Sequence, residues 1–93
     1  MKIFRGIYAH RKKTVPATFE ETREWLSRRV ASSPRPLPAG RFPHILEEAV
    51  QEGFSRDHLL NTLDMWLNYG YCRIIDPITQ DIELTEEGMR YFY

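Results

Sequence analysis

Between Ser55 and Tyr71 the chain reads SRDHLLNTLDMWLNYGY, with Leu59, Leu60, Leu63, Trp66 and Leu67 at the i, i+1, i+4, i+7, i+8 spacing of a strongly buried helix. The rest of the chain must supply a surface for that helix to pack on. Ser55 is a good N-cap, Phe54 is placed to pack under the first turn, and Gly70 stops the helix.

A chain of 93 residues has room for a single modest core, so one module is expected. Hydrophobic residues make up 42% and charged residues 28%, the profile of a soluble globular domain. No apolar run approaches the roughly 18 residues of a membrane span. The N-terminal MKIFRGIYAHRKK carries its basic cluster after the short apolar part and has no small-residue cleavage site, so a cytoplasmic protein without membrane contact is expected. The single cysteine, Cys72, fits a reducing compartment and reads as a small strand residue.

Upstream, residues 2–9 (KIFRGIYA) suit a short strand or extended arm, and Arg11, Lys12 and Lys13 follow, so residues 1–17 form a basic arm ahead of a domain over 18–93. Thr18 and Glu21 make the capping box of a first helix whose stripe is Phe19, Thr22, Trp25, Leu26 and Val30. ASSPRPLPAGR, residues 31–41, is a loop, with room for a very short edge strand around Leu37. A second helix runs from about Pro43 to Glu52 on Ile45, Leu46, Ala49 and Val50, and Gly53 ends it. After the Ser55 helix, residues 71–76 and 81–84 read as a β-hairpin around Pro77-Ile78-Thr79-Gln80, with Ile82 and Leu84 alternating with Asp81 and Glu83. Thr85-Glu86-Glu87 opens a last short helix. The fold class is therefore mainly α with a small β-hairpin, α+β.

His10, His44 and His58 share no metal-site spacing with one another or with Cys72, and the pairs Glu47-Glu48 and Glu86-Glu87 read as solvated helix positions. No phosphate-binding glycine loop or nucleophile elbow is present. No enzyme, cofactor or metal is expected. The net charge of zero conceals a division: residues 1–42 carry +7 and residues 43–93 carry −7. Such asymmetry marks either a basic surface for an anionic partner or two halves that attract each other, within a monomer or across a dimer.

From Phe42 to Tyr93 the sequence resembles the winged helix-turn-helix superfamily. Ala49, Gly53 and Leu59 match its turn region, L-x-x-W-L-x-x-G-Y (Leu63–Tyr71) is similar to the end of its recognition helix, and Leu84-Thr85-Glu86-Glu87-Gly88 looks like the L-T-x-x-G that closes the wing in MarR-like and PadR-like regulators. The resemblance implies double-stranded DNA as partner, with the Ser55 helix in the major groove and the hairpin on the backbone or minor groove. Carried over, Arg56, His58, Asn61, Thr62 and Met65 face outward, Arg56 toward guanine and Asn61 toward adenine. The wing departs from the pattern: it reads D-P-I-T-Q-D with Arg73 as its nearby cation, and the helix adds Asp57 and Asp64. Phosphate contact then falls to Arg11, Lys12, Lys13, Arg28, Arg29, Arg35 and Arg41. Met89, Tyr91, Phe92 and Tyr93 pack in the monomer or form the homodimer contact that the helix after the wing makes in related regulators. The acidic wing and aromatic tail also suit a competing role, a winged helix that binds a protein partner.

Overall fold

The computed structural model describes residues 17–93. The expected N-terminal strand or arm, with Arg11, Lys12 and Lys13, lies outside the described residues. The order is α1 (Phe19–Ala31), α2 (Arg41–Gln51), α3 (Arg56–Asn68), β1 (Cys72–Asp76), β2 (Asp81–Leu84) and α4 (Glu86–Phe92). This is the expected α+β class: four helices and one two-stranded antiparallel sheet among the described residues. Leu37 joins no strand there. It is buried in the core, between prolines that supply no N–H to a sheet ladder.

Local signals account for the helix starts. Thr18 N–H donates to Glu21 Oε1 at 2.9 Å and Glu21 N–H to Thr18 Oγ1 at 3.1 Å, the reciprocal pair that satisfies two orphan donors of α1. Ser55 Oγ accepts from His58 N–H at 3.1 Å at the start of α3. Between α2 and α3 the chain turns at Gly53, whose φ of 103° a side chain would resist. α2 begins two residues before the expected Pro43, behind Gly40, which offers no side-chain cap. The hairpin compensates. Gly40 N–H donates to Asp81 Oδ2 at 2.8 Å, and Ile82 N–H donates to Asp81 Oδ1 at 3.0 Å.

The core is one cluster in which Leu26 and Val30 of α1, Phe42, Ile45 and Ala49 of α2, Leu59, Leu63 and Trp66 of α3, Ile82 of β2 and Phe92 of α4 are buried together. Three expectations for the apolar faces need correction. Val50 and Leu60 are exposed, because about 100° of rotation per residue carries each past the edge of its helix's stripe. Leu67, at the same edge of α3, is half-buried. Asp81, expected to alternate outward, is buried because its carboxylate caps α2.

Asp81 therefore joins hairpin to helix. Asp81→Ala is expected to cost about 2 kcal/mol, the range for a charged acceptor lost from buried N–H groups, with Asp81→Asn recovering only part. Urea unfolding of the two variants checks it.

Candidate functional site

α3 is held rigidly by Leu59, Leu63 and Trp66, and Thr62 lies on the same stripe, three residues from Leu59 and four from Trp66. Thr62 is fully buried and its hydroxyl donates to the His58 carbonyl at 2.9 Å, so it does not face outward as expected. His58 and Met65 are half-buried on one flank. The His58 ring meets Phe19 edge to face at 5.9 Å, and its Nδ1 is buried without a hydrogen-bond partner. What α3 presents most fully is the line Asp57, Asn61, Asp64 and Asn68, all exposed at i, i+4, i+7, i+11 spacing. Arg56 and Leu60 flank that line on the other side.

Next to Arg56 and Leu60 a cleft of about 420 Å³ opens between α2, α3 and the hairpin tip, lined by Pro43, His44, Glu47, Arg56, Leu60 and Ile78 among others. The carboxylates of the hairpin have partners within the domain. Asp76 Oδ1 accepts from Ile78 N–H at 3.0 Å, Asp81 is turned inward, and Glu83 pairs with Arg73 at 2.6 Å. A bulge between Ile74 and Asp76 leaves Ile75 46% exposed, and Ile78 at the turn is 91% exposed.

Two of the expected phosphate contacts form ion pairs within the domain. Arg28 pairs with Glu24 at 2.7 Å and Arg29 bridges from α1 to Glu48 of α2 at 2.8 Å. Arg35 lies 5.5 Å from the centre of the Tyr93 ring. Arg41 is half-buried at the start of α2, and Arg56 is exposed. Residues 17–93 carry eight arginines against thirteen carboxylates, a net −5, while residues 1–16 carry five cations and no acid.

Of the residues expected to pack in the monomer or at a dimer contact, Phe92 belongs to the monomer core, edge-on to Trp66 at 4.8 Å. Tyr93 Oη reaches the Pro34 carbonyl at 3.1 Å, tying the chain end to the loop after α1. Met89 is half-buried. Tyr91 stays half exposed, stacked on Tyr71 at 4.3 Å.

Among the described residues no group of His, Cys, Asp and Glu is arranged to hold a metal ion, and no helix is long and apolar enough to cross a membrane. Cys72 is buried and burial pushes its thiol up to about 11, so it stays protonated near neutral pH. Comparison of the chain with family models, curated proteins and solved structures gave no match in any of the three. The surface must therefore be read on its own chemistry.

The sequence contained two signals for this surface that the motif-based reading passed over. Asp57, Asn61, Asp64 and Asn68 already share a helical face by spacing, opposite Leu59 and Trp66. Ile78 is an isoleucine inside a turn, where nothing covers it.

Proposed function

We propose that the domain is a winged helix-turn-helix used as a protein-interaction module, docking its partner on the outer line of α3 and the adjoining cleft. The helix order, the Gly53 turn and the hairpin support the winged-helix reading. One observation carries the interaction reading: the outermost line of the helix that would enter a groove is Asp57, Asn61, Asp64 and Asn68, without a cation. Duplex DNA carries one negative charge per about 1.7 Å of axis, so two carboxylates at the centre of contact oppose it. A protein segment bearing cations and apolar side chains meets complementary groups instead, with Asp57, Asp64 and Glu47 around the exposed Leu60 and Ile78.

A second reading, a dimeric transcriptional regulator on duplex DNA, is favoured by the five cations of residues 1–16, to which Arg41 and Arg56 would add. Titration of duplex DNA at about 0.05 and 0.2 M salt separates the two. The expected Kd is no tighter than about 10⁻⁴ M, the weak end of non-specific binding. Submicromolar binding lost in Arg56→Ala with Asn61→Ala overturns the interaction reading in favour of DNA. The positive arm uses a synthetic peptide of alternating lysine and isoleucine, whose affinity should fall at least about tenfold in Leu60→Ser with Ile78→Ser. An unchanged affinity overturns the reading.

A further inference from the structure

The chain itself contains a segment with the chemistry this surface fits. Resting on the interaction reading above, we propose that residues Lys2–Lys13 dock on the α3 surface of their own chain, so that an external partner must displace them.

Complementarity is the first support. KIFRGIYAHRKK interleaves Lys2, Arg5, Arg11, Lys12 and Lys13 with Ile3, Phe4, Ile7 and Tyr8, and carries no acid. The surface is its counterpart: Asp57 and Asp64 on the outer line, with Leu60 and Ile78 beside them. The charges of residues 1–16 and 17–93, +5 and −5, cancel. His44 and Arg56 also line the cleft, and they repel cations. The cleft therefore matches the segment's apolar side chains, and the two aspartates match its cations.

Attachment is the second. Phe19 at the start of α1 lies against His58 in the first turn of α3, so the segment joins the folded domain beside the helix it is to cover. Lys13 precedes Ala17 by four residues and Arg11 by six. At about 3.3–3.6 Å per residue, these cations reach about 13–22 Å. That span exceeds the width of a helix, about 10–12 Å. Ile3 to Tyr8 follow at nine or more residues from Ala17, a maximum span of about 30 Å or more, against domain extents of 39 × 24 × 21 Å.

Tethering is the third. A short linker holds its ligand at an effective concentration on the order of millimolar, so contacts too weak to retain a free peptide suffice within one chain. A second copy lacks this advantage.

The test uses the full chain. Trypsin cleavage after Arg11, Lys12 and Lys13 is timed against a free peptide of residues 1–16 in the same low-salt buffer. Cleavage in the full chain should be at least about tenfold slower, and the protection should disappear in Asp57→Asn with Asp64→Asn and in Leu60→Ser with Ile78→Ser. Zero-length carbodiimide coupling should join Lys12 or Lys13 to Asp57 or Asp64 within the monomer. The lysine-isoleucine peptide should bind at least about tenfold more tightly once Arg11, Lys12 and Lys13 are changed to Gln. Cleavage at the free peptide's rate with no cross-link overturns the proposal, and so do cross-links found only between chains, which assign the surface to a second copy. If the peptide still binds in a Leu60- and Ile78-dependent way while cleavage is unprotected, this inference falls and the interaction reading stands. If the peptide fails even on the Gln variant, the interaction reading falls with it.

Discussion

Gly88→Ala is expected to destabilise the domain by about 3 kcal/mol, the upper part of the range for overpacking a tight site. Helix propensity alone predicts the opposite sign, since Ala is better than Gly within a helix by up to about 1 kcal/mol. Packing decides the outcome. A Cβ at Gly88 would sit 1.9 Å from the Tyr71 carbonyl oxygen and 2.8 Å from its carbon, and these are backbone atoms that cannot swing aside. The same corner is fastened by Thr85, whose N–H donates to the Tyr71 carbonyl at 3.0 Å and whose hydroxyl donates to the Gly70 carbonyl while accepting the Gly88 N–H at 3.1 Å. Moving α4 to relieve the clash therefore strains three hydrogen bonds. A urea midpoint that falls with an unchanged slope supports this account. A midpoint that rises refutes it.

Trp66→Ala should cost about 4 kcal/mol, in the range for deleting a large buried aromatic. For a chain of this size that is a large fraction of the roughly 5–14 kcal/mol available. Trp66 is 1% exposed and meets Phe42 of α2 at 6.2 Å and Phe92 of α4 at 4.8 Å between ring centres. Its removal leaves a cavity shared by three helices, and no small shift of one of them fills it. Trp66→Phe should cost well under half as much, because a ring still spans part of the gap. Thermal unfolding of both variants checks the ranking, and equal losses would mean that volume is not what Trp66 contributes.

Much of the fold was legible because its signals are local. The capping box at Thr18 and Glu21, the cap Ser55, the helix start at Thr85-Glu86-Glu87 and the breaks at Gly53 and Gly70 each act within a few residues, and each appears where the sequence places it. The hairpin was legible for the same reason, although its bulge was not. The apolar stripes were legible at their centres and misjudged at their edges: Leu60 and Val50 are apolar by type but rotated away from their neighbours. The candidate surface was harder to see. Arg28, Arg29 and Arg73 look like free cations in the sequence, and only the packing of α1 on α2 and the pairing of β1 with β2 bring Glu48 and Glu83 to two of them. Asp81 changes role for a similar reason, since the Gly40 N–H it accepts is 41 residues away.

The sequence by itself determined the starts of α1 and α3 and the centre of each apolar stripe, because hydrogen bonding and side-chain period act over three or four residues. Tertiary structure decided which charges remain available. Residues far along the chain pair with Asp81, Glu83, Arg29 and Arg73, while Asp57, Asp64, Leu60 and Ile78 face solvent. A charge's partner depends on chain segments far apart in sequence, so the sequence alone does not separate the exposed Asp57 and Asp64 from the buried Asp81.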